Sequence, residues 1–209
     1  MNESFTVHLN RPRVEAAVRG ELPQQRLPFL FGGPHSSQPS FTRAGVGPGD
    51  TVYPITLRSS NIYLLCRFVV DKIVSLKELI ALRPDLYPID HPGQRVDEVI
   101  SAATHRFPWH TAVRWTCSDH VLLPSEVSEF TMGQTLNREI LARLTYRSKK
   151  ADRLLRWTSD GKAPLLTGID RIYRLAPSSA GDFAELFQDD DATFRKMHSR
   201  TVIRGHADM

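Results

Sequence analysis

The sequence predicts an α+β fold: a small β-barrel flanked by a few helices, with an inserted mixed region. Three observations lead there. Segments such as "SFTVHLN" and "TVYPITL" alternate apolar and polar residues with period two, the pattern of half-buried strands. Others, such as "SLKELIALRP", repeat apolar residues at helical spacing. Twelve Gly and fourteen Pro break the chain into short pieces, and many short strands around a few helices suit a small barrel. With 209 residues, 41% of them hydrophobic, the chain can bury a real core. We read one domain over 1–188, with a long loop at 21–48, an insert at about 75–150, and a polar tail over 189–209.

Taken in order, Phe5, Val7 and Leu9 line one face of a first strand. "RPRVEAAVRG" follows as a helix, with Pro12 in its first turn and Gly20 as its stop. Residues 21–48 hold Pro23, Pro28, Pro34, Pro39 and Pro48 with several glycines between them, and read as loop throughout. "GPGD" launches a strand in which Pro54, unable to donate to a ladder, argues for an edge or a bulge. "RSSN" turns the chain into "IYLLCRFVVDKI", apolar enough to be buried on both faces. Ser75 and Glu78 make a capping box for "SLKELIAL". "VDEVISAATHRF" reads as a helix, "TAVRWTCSDHVLLP" as strand, turn and strand, and 125–150 as helical. "DRLLRWTS" and "GIDRIYRLAP" read as closing strands, and "SSAGDFAELFQ" as a final helix capped by Ser179 with Asp182 three residues on.

The net charge of +4 tilts toward a polyanionic partner. Its distribution says more: 138–162 gathers Arg and Lys, while "FQDDDATF" is a compact acidic run. No apolar run reaches the about eighteen residues a membrane helix needs, and "MNESFTVHLNRPR" lacks a signal-peptide core. A cytoplasmic protein without a membrane partner is expected. Cys66 and Cys117 make no disulfide framework, and Cys66 sits in a strand-like run as a buried thiol would.

The centre of the chain, "GVGPGDTVYPITLRSSNIYLLCRFVVDKI", resembles the PUA-like superfamily, which includes ASCH, EVE and YTH domains. There a "PGD.V" turn feeds a barrel strand and the next returns with Arg67, Val70 and Ile73 in matching places. The ending "LRWTS…LLTGIDRIYRLAPSSAGDFAELF" is similar to that of bacterial proteins of unknown role associated with this group. The resemblance covers roughly 4–73 and 152–187. It implies a PUA-like β-barrel and nucleic-acid recognition, since EVE and YTH members hold a modified base in an aromatic-walled pocket.

That ligand fits the residue types present. An extruded base offers two π faces and one hydrogen-bonding edge, and stacking is worth about 1–3 kcal/mol per base. Trp109 and Trp115 are six apart, hence on one face of an extended segment; with Tyr53, Phe29 and Phe31 they form the candidate aromatic wall. His8 and Asn10, at the end of the first strand, are candidate base-edge contacts. Arg11, Arg13, Arg43, Arg58 and Arg106 sit at element ends, where guanidinium groups can take phosphates bidentately.

The expected role is a non-catalytic module that binds nucleic acid, DNA in preference to RNA, with a modified base as the specific ligand. It calls for no cofactor and no metal: there is no Walker loop, no G-x-S-x-G and no H-E-x-x-H. The alternative is a hydrolase or metal-assisted nuclease on the same barrel. It would draw on His105, His110, Cys117 and His120, of which only Cys117 and His120 have zinc-like spacing, or on Asp85 and Asp90.

Overall fold

The computed structural model of the chain describes residues 2–20, 22–34, 39–107, 118–148, 150–165 and 171–187. Strand β1 (Ser4–His8) leads into helix α1 (Arg11–Arg19), as the pattern requires. Asn10 Oδ1 accepts the Arg13 N–H at 3.2 Å, satisfying a donor of the first turn, and the Gly20 N–H closes the helix on Ala16 O. The 21–48 stretch is not loop alone. It contains strand β2 (Leu30–Gly32) and the one-turn helix α2 (Phe41–Ala44). Pro28 and Pro34 lie outside β2 and Pro39 precedes α2, so no proline removes a needed donor.

Strand β3 (Thr51–Arg58) starts from the "PGD" turn. Asp50 Oδ2 accepts the Gly47 N–H at 2.8 Å and Oδ1 accepts the Glu3 N–H at 2.7 Å, so one carboxylate fixes the turn and joins the starts of β1 and β3. Strands β4 (Asn61–Leu64) and β5 (Phe68–Ser75) follow, then helix α3 (Leu76–Leu82) with the expected Ser75–Glu78 capping box, and helix α4 (Val96–Arg106). Strand β6 (His120–Val127) returns along β5. The region read as one helix, 125–150, is instead the end of β6, strand β7 (Gln134–Thr135), helix α5 (Arg138–Arg143) and strand β8 (Thr145–Tyr146). Its helix begins only at Asn137, whose Oδ1 accepts the Ile140 N–H at 2.8 Å. Strands β9 (Arg153–Leu154) and β10 (Ile172–Arg174) precede a helix over 177–187. Ser179 lies within that helix rather than capping it: its Oγ accepts the Thr145 N–H at 2.9 Å and so holds β8.

Eight strands form one mixed sheet in the order β10-β1-β3-β5-β6-β2, with β4 on β3 and β7 on β4. The expected closed barrel is corrected: the sheet does not close among the described residues. It branches instead. The start of β3 pairs with β5 (Val52↔Phe68) and its end with β4 (Ile55↔Leu64), while parallel β1 lies along the other edge (Thr6↔Tyr53). Strands β4 and β5 take successive stretches of the same edge of β3, and β5 runs on past the start of β3 along β6, while beyond β10 the chain is met by the Tyr146↔Leu175 bridge.

Pro54 is therefore central, not at an edge. It falls between the last β5 pair and the first β4 pair, where a missing donor interrupts neither ladder. Alternation sends Phe5, Val7, Leu9 and Val52 into one core cluster and Tyr53 and Ile55 into a second, under α5 and the 177–187 helix. A third cluster packs α3 and α4 on Phe29, Phe31 and Val121. Cys66 is fully buried as expected, and burial pushes its thiol pKa well above the usual range, so it is a packing residue.

Candidate nucleic-acid interface

The register of the central strands gathers several of the proposed contacts at one end of the sheet. Parallel pairing sets His8 beside Ile55, so β1 stops there and β3 runs on to Arg58. The His8 N–H donates to Arg171 O at 3.4 Å, bringing the approach to β10 to the same end. Helix α1 begins there, and the β3–β4 turn, Arg58 to Asn61, closes there.

The chemistry of that end is set by one carboxylate among several guanidiniums. Arg11 Nε donates to Glu15 Oε1 at 2.6 Å, one helical turn apart, and Arg19 Nη2 lies 3.9 Å from Glu15 Oε2. The hydrogen bond from Arg11 chiefly holds the Glu15 carboxyl below its ordinary pKa, with Arg19 and Arg58 adding to the effect. Two cations thus engage one anion, on side chains that stay open to water: Arg11 is 78% and Arg19 75% exposed. Arg58 and Arg171 are also exposed, and Arg13 is half-buried in the same helix. Of the residues the sequence singled out, His8, Asn10, Arg11 and Arg13 follow one another from the end of β1 into α1, and Arg58 ends β3. Asn10 spends its side-chain oxygen on the helix cap.

Arg43 and Arg106 lie elsewhere. Arg43 is in α2, which meets the opposite end of β10 through the Arg174 Nη2 donation to Ala44 O at 3.3 Å. Arg106 is the last residue of α4, in the helical layer of the third cluster. Sequence reasoning passed over Arg19 and Arg171. Arg19 had a visible signal, because Arg11, Glu15 and Arg19 recur every four residues along one helix face. Arg171 had none, since only the β1–β10 pairing brings it here.

The aromatic residues are distributed differently. Tyr53 is 2% exposed and packs on Phe183, at 5.3 Å between centroids, and on Phe187 at 5.8 Å in a stacked geometry. Phe29 and Phe31 sit edge to face at 5.2 Å in the third cluster, with Tyr87 at 6.2 Å from Phe29. These three described rings belong to two clusters on separate parts of the core and do not face one slot. Trp109 and Trp115 lie outside the described residues, as do His110 and Cys117.

The groups named for hydrolytic chemistry are also separated. His105 is exposed at the end of α4, while His120 is buried at the start of β6. Asp119 Oδ1 engages His120 Nδ1, the ring meets Phe41 edge-on at 5.8 Å, and Nε2 has no hydrogen-bond partner. Asp85 is taken by a two-pronged bond from Arg83 at 2.8 and 2.9 Å, which pulls its pKa down, and Asp90 lies exposed in a loop. Among the described residues no three His, Cys, Asp or Glu side chains are grouped to hold a metal ion. No described helix is long and apolar enough to cross a membrane.

These features define an α+β protein with a branched mixed sheet and a cationic end. No family model matches the chain, and no curated protein matches it. Among solved structures it is similar to ASCH from Zymomonas mobilis (11% identity, TM-score 0.31, covering 74% of this chain and 88% of that one). It is also similar to a mutant form of that protein (12% identity, TM-score 0.33, covering 74% and 91%). Overlap at that level is silent on chemistry.

Proposed function

We propose that this protein is a nucleic-acid-binding module that holds the phosphate backbone at the cationic end of its sheet, with DNA preferred over RNA. The observation that carries the reading is the gathering of exposed guanidinium there: among the described residues Arg11 and Arg19 both engage the Glu15 carboxylate, and Arg58 adds to the positive field around it. A phosphodiester supplies the missing negative charge and accepts bidentate donation, which an exposed arginine delivers at little reorganisation cost. The base-specific part of the proposal, a modified base stacked between flat side chains, rests on Trp109 and Trp115, because Tyr53, Phe29 and Phe31 already pack on protein rings.

The test is binding of labelled duplex DNA, single-stranded DNA and RNA across a salt series, with modified and unmodified bases. Log affinity should fall linearly with log salt as counterions are released, and Arg11→Glu with Arg58→Glu should abolish binding. Absence of detectable binding by the native chain at low salt would defeat the proposal.

One observation favours a second reading, a hydrolase. His120 is held by Asp119 at Nδ1 while its Nε2 is buried without a hydrogen-bond partner, so that nitrogen would serve as a general base only once opened to a substrate. That reading expects His120→Gln to remove hydrolysis of an ester or phosphodiester substrate while leaving any nucleic-acid binding intact. A panel on which the native chain shows no turnover would dismiss it.

A further inference from the structure

We propose that Tyr173 is a stacking platform for an unpaired base of the bound strand, and that Arg153 yields the ring to that base and takes the neighbouring phosphate. The inference rests on the reading above and extends the cationic end along β10. The backbone makes the connection. The His8 N–H donates to Arg171 O at 3.4 Å, and two residues further on Tyr173 pairs with Thr6. Arg171 and Arg153 are exposed, and Tyr173 is half-buried. Arg153 comes from β9, whose pairing sets it opposite Tyr146, and its guanidinium carbon lies 5.5 Å from the centre of the Tyr173 ring. A guanidinium there marks a π face within reach of solvent. An exposed contact of this kind is weaker than a base stack, so a base can displace it.

Two buried hydroxyls beside the same ring call for a ligand. Direct pairing on adjacent strands puts Thr6 and Tyr173 side by side on one face, and the Tyr146 ring is 5.2 Å from that of Tyr173. Thr6 is 0% and Tyr146 2% exposed, yet neither Thr6 Oγ1 nor Tyr146 Oη has a hydrogen-bond partner. Protein interiors rarely leave two such groups unmet in one place. A nucleobase has what they lack: a flat face for Tyr173 and, in the same plane, carbonyl and amino groups for the hydroxyls. As phosphate draws Arg153 off the ring, Tyr173 turns outward onto the base, and the edge of the base reaches Thr6 and Tyr146. Tyr53, which pairs with Thr6 on its other side, makes the contrast: its ring is already covered by Phe183 and Phe187.

The discriminating probes are a single-stranded oligothymidylate and an abasic phosphodiester of the same length and charge. The native chain should bind the oligothymidylate about tenfold more tightly, the worth of one stacked base. Tyr173→Leu should erase that preference without changing the slope of log affinity against log salt, and Tyr173→Phe, which keeps the ring, should restore it. Arg153→Gln should lower the slope by about 0.7, the share of one cation on a single strand. Thr6→Val removes an unmet hydroxyl and keeps the shape, so it should raise the melting temperature and yet reduce the preference. If the native chain binds both oligomers equally, or Tyr173→Leu keeps the preference, the platform is refuted and the binding reading stands. Should Tyr173→Leu fail to fold, the other two variants decide: a native slope in Arg153→Gln with a native preference in Thr6→Val refutes the platform as well. If the native chain binds neither oligomer nor any other nucleic acid, both readings are refuted.

Discussion

Asp50 shows how much one side chain can determine. Its two oxygens accept from Gly47 and Glu3, residues on different segments, and it is 8% exposed. Asp50→Ala would leave both N–H groups without a partner in a nearly dry place. Hydrogen bonds to a charged acceptor are worth about 1.5–3 kcal/mol, so we expect a loss of about that size in urea unfolding. Gly32 is fixed by space rather than by charge. A Cβ there would lie 2.5 Å from both His120 Nε2 and the Phe41 ring, and 2.7 Å from Pro39 O. Rings and backbone cannot yield as a flexible chain end would, so Gly32→Ala should cost about 1–3 kcal/mol. Gly181 is the control. It sits within the 177–187 helix with nothing near its would-be Cβ, and Gly181→Ala should stabilise by about 0.5–1 kcal/mol. Equal effects at Gly32 and Gly181 would contradict the close approach.

At the scale of elements, short β8 is held by bonds the sequence did not advertise. Ser179 accepts its Thr145 N–H, the Ala176 N–H donates to Thr145 O, and the Arg147 N–H just beyond it donates to Arg174 O. Tyr146 points its ring into the second cluster, 5.2 Å from Tyr173, and neither its Oη nor the Oγ1 of Thr6 has a partner in hydrogen-bond geometry. Burial pushes the Tyr146 phenol up to about 12, only partly offset by the nearby Thr6 hydroxyl. Below pH 10 the phenol is protonated in both folded and unfolded chains. As pH rises through the interval to 12, the unfolded chain releases the proton and the folded chain keeps it, so stability falls. The loss is on the order of 2 kcal/mol. Tyr146→Phe should flatten that part of the stability–pH curve, and an unchanged curve would mean that Tyr146 is not what titrates. Burial raises Tyr53 and Tyr87 as well, so some alkaline loss will remain.

Across the whole molecule, pairing decides which charges are free to act. The basic stretch 138–162 looked like a footprint. In the fold three of its cations are engaged by acids: Arg143 is held by Glu139 and, at 2.9 Å through two nitrogens, by Asp182; Arg147 meets Glu3, and Lys162 meets Asp160. Arg143→Gln and Arg147→Gln should therefore leave the salt slope of DNA binding where it is, unlike Arg58→Ala. A fall in slope of about one for each would move the interface to that face. The acidic run 187–194, read as the counterpart of that stretch, lies outside the described residues beyond Phe187.

The sequence by itself determined the local elements. Period-two alternation located β1 and β3, the Ser75–Glu78 box located α3, and Pro12 with Gly20 bounded α1, because strand pitch, capping and proline geometry act over a few residues. The α+β class followed from those elements, and so did the choice of His8, Asn10, Arg11, Arg13 and Arg58 as residues at element ends. Only the tertiary structure decided that β3 is central and shares one edge between β4 and β5, that the sheet branches, and that Tyr53 and Phe29 belong to different clusters. Strand order and charge pairing depend on contacts between segments far apart in the chain. No periodicity within one segment encodes which distant edge it will meet.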